Sequence, residues 1–329
     1  MGTVDGNRKI MNVTVILCTY NRCGDLTKSL DSLASSTLPS SVVWEVLVVD
    51  NNSNDQTRDV ALDFCRRYPN RFRYLFEPHP GKSYALNSGI REAHGEILAF
   101  TDDDLIVDTT WLHNLTIPFG NGAWAGVGGR TLLEQGFSPP HWLALNGWYG
   151  MGGILALCDL GDKAGELDWP PYGANMAFRK KMFEKYGGFR TDLGPTPDGK
   201  IPRPNEDTEF GRRLMAAGER LWYEPSAVVH HPVPEKRLKK SYFLAWWFDY
   251  GRALIREKRK RPHLYGIPRH HLSIPAMIAT RMPVDMLRWV LTWDPQRRFF
   301  WKSRVWLTAG AAVEAYRVAR DANERNEQK

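Results

Sequence analysis

Residues 97 to 107, ILAFTDDDLIV, decide the fold. Ile97, Leu98, Ala99 and Phe100 form a continuous apolar run, the pattern of a strand buried on both faces of a sheet. Asp102, Asp103 and Asp104 follow at its C-terminal end. Three adjacent carboxylates repel one another unless a positive charge stands among them. The stretch therefore predicts a central strand whose end faces a cation.

Working outward, the front half alternates strands and helices. Residues 13 to 19 (VTVILCT) are a β-branched apolar run, and 24 to 37 follow with Leu26, Leu30 and Leu33 at helical spacing. Residues 44 to 49 (WEVLVV) run into the polar turn Asp50 to Asp55, and 56 to 67 carry Val60 and Phe64 on one helical face. Residues 72 to 76 (FRYLF) form a third strand, and a helix over 82 to 94 leads into the quoted one. A βαβαβαβ order predicts a parallel sheet with helices on both faces. Ligands of such sheets bind outside the carboxyl ends of the strands. Thr19-Tyr20-Asn21, Asp50-Asn51-Asn52 and Asp102-Asp103-Asp104 all fall at those ends, so three separate segments are expected to line one crevice.

Composition bounds the rest. The 329 residues, 43% hydrophobic and 25% charged, suffice for one large α/β domain plus an appendage. Cys18, Cys23, Cys65 and Cys158 contain no CxxC pair and follow no secretory leader pattern, so reduced thiols and a cytoplasmic location are expected. No run reaches the roughly 18 apolar residues of a spanning helix. From Glu235 onward there are 21 Lys and Arg against 9 Asp and Glu, a surplus of 12 within a total charge of +7. The preceding residues therefore carry −5, and a mildly acidic front bears a basic rear.

Residues 187 to 204 are rich in Gly and Pro and read as a mobile loop. A helix is expected from NEDTEFGRRLMAAG, with Asn205 as N-cap and Gly218 as the residue just past its end. Asp207, Phe210, Gly211 and Leu214 share one face of it, which turns Asp207 inward, where an uncompensated carboxylate is costly. Glu206 and Glu209 lie off that face. Glu206 suits the helix dipole, and Glu209 stands one turn before Arg213.

The segments VTVILCTYNR, EVLVVDNNSND, GKSYALNSGIREAHGEILAFTDDD, PPYGANMAFRKKMFEKYGGF and NEDTEFGRRLMAAG together resemble the ordered motif set of family-two inverting glycosyltransferases, over roughly residues 11 to 231. The resemblance implies the nucleotide-diphospho-sugar transferase (GT-A) fold: a mostly parallel α/β sheet with flanking helices. A catalytic domain is expected over 11–235, with a nucleotide-binding half at 11–120 and an acceptor half at 121–235, and a basic, aromatic helical extension over 236–329. It implies a DxD motif in which Asp104 binds Mg²⁺ or Mn²⁺ directly, Asp102 meets ribose or metal-bound water, and Asp103 takes the variable place. Carboxylates are fitting hard ligands for such an ion, which neutralises a departing diphosphate. Thr19, Tyr20, Asn21, Asp50 and Asn52 would line the nucleotide pocket. Lys82 would reach the diphosphate or remain a solvated helix-start lysine.

Transfer by single displacement needs a base opposite the leaving group, and Asp207, in the pair with Glu206, matches the family's base. In some members a histidine completes the metal site. His231 is favoured over His230, and both also fit a polar strand end. Gly173, Ala174 and Asn175 resemble the loop that holds donor sugar and acceptor, and Trp169 could stack on a sugar face. The expected donor is a nucleotide-diphosphate sugar and the acceptor a glycan or lipid-linked hydroxyl, in cell-envelope or exopolysaccharide assembly. The QxxRW signature of processive membrane synthases is missing, which predicts one sugar per encounter.

Two competing functions remain: a catalytically inactive transferase-like scaffold at a membrane surface, and a sugar nucleotidyltransferase. The latter would want a Gly-rich triphosphate loop where TYNRCGD stands. Residues 236–261 and 281–307 mix Lys and Arg with Trp, Phe and Tyr. They suit helices lying in an anionic membrane surface, which would make the protein peripheral on the cytoplasmic face, or a helical cap with a solvated basic side. No nucleic-acid module accompanies the charge.

Overall fold

The computed structural model describes residues 11–198, 205–258 and 269–327. The front half follows the expected order: β1 (Met11–Thr19), α1 (Cys23–Ala34), β2 (Val42–Asp50), α2 (Thr57–Arg67), β3 (Phe72–Phe76), α3 (Lys82–Glu92) and β4 (Ile97–Asp102). Next come β5 (Ile106–Val107), α4 (Trp111–Asn121), β6 (Gly126–Leu133), β7 (Gly165–Glu166), β8 (Asn175–Arg179), α5 (Lys180–Tyr186), α6 (Glu206–Ala216) and β9 (Leu221–His231). Helices α7 (Lys240–Lys258), α8 (Arg269–Leu291) and α9 (Pro295–Glu327) complete the chain. Residues 199–204 of the anticipated loop, and 259–261 of the first basic segment, lie outside the described residues.

A nine-stranded sheet runs in the order β3-β2-β1-β4-β8-β6-β9-β5, with β7 beside β9. The first four strands are parallel, as the alternating pattern requires, and β6 is parallel to β9. Beyond β4 the sheet turns mixed, because β8 enters antiparallel to both β4 and β6. Parallel pairing places the C-terminal ends of β1, β2 and β4 on one edge: Thr19 pairs with Asp50, and Cys18 with Asp102. Antiparallel pairing of Thr101 with Asn175 brings the start of β8 to that same edge.

Contacts gather the chain into two compact units that are not consecutive in sequence. One comprises 1–134, 158–190 and 207–232; the other comprises 135–157, 191–206 and 233–329. The first is built on the sheet. Ile16, Val46, Val48, Leu98 and Ala99 are fully buried, the two-sided burial that continuous apolar runs demand. Over β4 and β8 lies an aromatic cluster in which Phe183 stacks on Phe210 at 4.4 Å, with Phe100, Phe178 and Phe189 packed around them. Phe210 thereby anchors α6. That helix ends as expected at Gly218, whose φ of +84° only a residue without Cβ adopts readily. Glu219 N–H bonds back to Leu214 and Gly218 N–H to Met215, closing the helix end. Asn205 differs from the anticipated N-cap: it stands at φ +92°, not in the extended region such caps usually hold.

The second unit is helical. Gly251 on α7 and Gly310 on α9 let the two backbones touch: a Cβ at either would strike a carbonyl of the other helix, that of Leu307 or of Phe248. Trp142 packs edge-on against Phe243 and Phe299. Buried Glu314 receives Arg252 at 3.1 Å and Arg256 at 2.6 Å. The aromatic residues of α7 are therefore fully or half buried within this unit. Among the described residues no helix is long and apolar enough to cross a membrane.

Candidate active site

The carboxylates at the end of β4 face cations of the chain itself. Arg22, just beyond β1, donates from Nη1 to Asp103 at 2.9 Å and to Asp104 at 2.7 Å. Lys82, the first residue of α3, holds Asp102 at 2.7 Å. The three acids do not stand equally. Asp103 is the buried one, and burial pushes its pKa up to about 7, with Arg22 opposing the shift and Asp104 adding to it. It therefore serves the packing of this turn. Asp102 and Asp104 are more open, with side chains 30% and 13% exposed.

His231, buried on β9, puts Nε2 3.7 Å from Asp104. Consecutive strand residues point to opposite faces, so His230 cannot join it. It pairs instead with Asp108 at 3.1 Å. An Asp oxygen and an imidazole nitrogen thus meet beside Asp102, a donor set of the hard and borderline kind that Mg²⁺ or Mn²⁺ accepts. Among the described residues, however, no group of three or more His, Cys, Asp or Glu is gathered tightly enough to enclose an ion by itself. A cation held here needs oxygens from a ligand to complete its shell.

Next to these residues, the end of β2 forms a polar turn. Asp50, buried, accepts from the Tyr74 hydroxyl and from Ser53 N–H, both at 2.9 Å. Asn51 receives Gly81 N–H at 2.7 Å and donates to His79 carbonyl oxygen at 2.7 Å, which ties the turn to the start of α3 and places Lys82. Asn21 and Asn52 both take positive φ, +50° and +64°, in tight turns at the strand ends. Asn21 accepts Asn54 N–H, and Asn52 donates weakly to Pro78. Thr19 is buried beside Asp50, and Tyr20 is exposed.

Asp207 reaches the same edge from the other direction. Its Oδ2 accepts Gly173 N–H at 2.6 Å and its Oδ1 accepts Thr208 N–H at 2.6 Å, which supplies the compensation that an inward carboxylate needs. Gly173 lies two residues before β8, whose first residue pairs with the end of β4. A Cβ on Gly173 would stand 3.0 Å from the Asp207 carboxylate, a tight contact that would push the carboxylate by a few tenths of an ångström. Ala174 is buried beside it. Glu209 pairs with Arg213 at 2.9 Å, as the one-turn spacing predicts. Glu206 is buried and falls in the second unit.

Asn175 is engaged within the fold: its side chain accepts from Trp111 Nε1 at 2.8 Å and donates to the carbonyls of Arg130 and Ala227. Trp169 is half exposed, with Arg212 stacked 4.4 Å from its ring centre. Arg22 and Tyr74 were not singled out from the sequence, and Asn51 only as part of the Asp50–Asn52 strand end. Arg22 carried a weak signal, a cation directly after a strand end in a crevice that needed one. Tyr74 had none, because its reach to Asp50 exists only once β3 lies beside β2.

Comparison with known proteins agrees with this architecture. The family model described as glycosyl transferase family 2 matches residues 14–187. "Succinoglycan biosynthesis protein ExoM" of Rhizobium meliloti is 28% identical over 254 residues, covering 77% of each chain. "Glycosyltransferase AglE" of Haloferax volcanii is 39% identical over 232 residues, 70% of each chain. Among solved structures, the mannosyltransferase PcManGT from Pyrobaculum calidifontis, in complex with GDP-Man and Mn²⁺, superposes with a TM-score of 0.60 at 19% identity, over 92% of this chain and 87% of its own. That likeness establishes the GT-A fold. Matched by the family model over more than half of its length and by a relative at 39% identity over more than two thirds, the chain belongs to glycosyl transferase family 2 and is a glycosyltransferase.

Proposed function

We propose that this glycosyltransferase is inverting, metal-dependent and non-processive, and that it moves one sugar from a nucleotide-diphosphate donor to an acceptor hydroxyl during assembly of an exported or cell-envelope glycan. The observation that carries the reading is the shared edge. Thr19 pairs with Asp50 and its neighbour Cys18 with Asp102, and Asp207 is clamped by Gly173 just before the adjoining strand. The catalytic region is taken as residues 11–235.

In this reading the turns after β1 and β2 receive the nucleotide. Asp50 is held by Tyr74 and Ser53 so that it can accept from base or ribose. Lys82 and Arg22 stand where the diphosphate would lie, and each can leave its carboxylate for a phosphate oxygen. Asp104, Asp102 and His231 would hold Mg²⁺ or Mn²⁺, which when bound supplies positive charge against the departing diphosphate. Asp207, fixed in one orientation by two N–H donors, takes the proton from the acceptor hydroxyl as that oxygen attacks the sugar carbon from the face opposite the diphosphate. Attack from that side inverts the carbon. Trp169, with one face on Arg212, offers the other to a sugar ring.

The glycan context is supported by the relative named for succinoglycan biosynthesis, and metal use by the solved neighbour's Mn²⁺. Calorimetric titration with a panel of nucleoside diphosphates, with and without Mn²⁺, tests the reading. Metal-dependent binding of one base is expected, with Asp207→Asn retaining that binding while transfer falls about 100- to 10,000-fold. An active Asp207→Asn enzyme would remove Asp207 as the base.

A further inference from the structure

Helix α8 is built inside out over its second half. Asp285, the carboxylate of residues 280–291, is 6% exposed and lies 4.0 Å from Arg304 of α9, while Trp289 packs edge-on against Trp306. The outward face carries Val284 (45% exposed), Leu287 (59%), Val290 (67%) and Leu291 (64%), at the i, i+3, i+6, i+7 spacing of one helical stripe. Trp293, in the turn to α9, is 94% exposed. A surface helix ordinarily turns such a stripe to the core and its acid to water, and a contiguous apolar face left outside marks a surface that something covers.

The charge pattern says what covers it. Residues 280–304 hold Arg281, Arg288, Arg297, Arg298, Lys302 and Arg304 against two acids. Of those acids, Asp285 is buried and Asp294 accepts the Arg297 N–H at 2.8 Å as the cap of α9. Arg288 lies over Trp301 at 4.5 Å, and Lys302 over Trp289 and Trp306 at 5.2 and 5.3 Å, which fixes cations beside the aromatic rings. A second copy meeting this face across a two-fold axis would bring Arg281 and Arg288 against their own counterparts. A negatively charged lipid surface instead neutralises them and accepts the apolar stripe.

We propose that the outward face of α8 from Val284 to Leu291, with Trp293 at its end, is a lipid-contact surface that lays this helix in the interfacial plane of an anionic membrane. The stripe is too short to span a bilayer but suits a helix sunk to the headgroup boundary, with Trp293 at the level an indole prefers. The inference stands on α8 and α9 alone and does not depend on the catalytic reading.

The test is flotation of the full chain with vesicles of phosphatidylcholine alone and of phosphatidylcholine mixed with phosphatidylglycerol. Binding is expected to the mixed vesicles and to weaken as salt rises. The triple variant Leu287→Ser, Val290→Ser, Trp293→Ser changes only exposed side chains, so it should melt like the parent while vesicle affinity falls roughly a hundredfold. A second variant, Arg281→Glu with Arg298→Glu, should bind more weakly and lose the salt dependence. The proposal is overturned if the parent stays with phosphatidylcholine controls at the bottom of the gradient, or if the triple variant floats like the parent. It is equally overturned if the parent is a dimer that the triple variant splits without either binding vesicles. Nucleoside diphosphate titration of the same variants should be unchanged, which keeps this result separate from that of the transferase mechanism.

Discussion

Asp103 and Asp104 share one guanidinium, and Arg22 is therefore the side chain whose loss the metal-free protein should feel most at this edge. Arg22→Gln leaves buried Asp103 without its charge partner, a loss of about 1–3 kcal/mol that protonation of Asp103 partly relieves. Thermal melting should fall accordingly, and saturating Mn²⁺ should narrow the gap between variant and parent if the ion supplies the missing charge. An equal gap with and without Mn²⁺ would separate Arg22 from the proposed metal site. At the opposite end of the sheet, Glu45 gives a pH signature. Burial opposes its ionisation, but Arg73 at 2.9 Å, His94 N–H and the Thr14 hydroxyl outweigh burial and hold its carboxyl below the ordinary 4.5. Its folded value lies below the unfolded one, so its contribution is complete above pH 4.5 and disappears as pH falls through the folded value. Glu45→Gln should cost about 1 kcal/mol at pH 7, and the two melting curves should converge on acidification. A gap that stays constant to pH 3 would mean that the ionised form contributes nothing.

At the scale of elements, close backbone approach carries the argument. Gly310 on α9 meets the carbonyl of Phe248, and a methyl group there has rigid backbone in its way, not a flexible side chain. Gly310→Ala should destabilise the helical unit by about 1–3 kcal/mol or more, even though alanine is the better helix former in isolation. Unfolding in denaturant, read by helix signal, checks it, and a neutral or stabilising result would mean that α7 and α9 slide apart at little cost. Helix α6 shows how an element aims a residue. Phe210, fully buried under Phe183, fixes the rotation of the helix, and Asp207 one turn earlier is then carried to Gly173. The 3.6-residue period alone foretold that inward turn. The partner N–H could not be foretold, since Gly173 lies 34 residues earlier.

For the whole molecule, the QxxRW signature of processive synthases is missing from the sequence. One acceptor incubated with excess donor should therefore give a product longer by a single sugar, read by mass spectrometry. A ladder of products would contradict single transfer. The charge is uneven, +12 in the last 95 residues against −5 before them, and the exposed apolar stripe of α8 lies within that basic part of the chain. The aromatic rings of α7 were legible as a cluster. Their partners on α9 and at Trp142 were not, because a Trp reads alike in sequence whether it meets lipid or another ring.

Alternation of apolar runs with helical spacing determined the strands and helices of the front half, since periodicity is local and survives without knowledge of neighbours. The convergence of Thr19, Asp50 and Asp102 also followed from the sequence, because parallel βαβ units leave little choice about which strand ends share an edge. Tertiary structure alone decided that β8 enters antiparallel, that Arg22 sits between two aspartates, and that Asn175 receives Trp111. Each of these depends on a pairing between residues distant in the chain, and side-chain chemistry by itself does not say which distant partner the fold will bring within 3 or 4 Å.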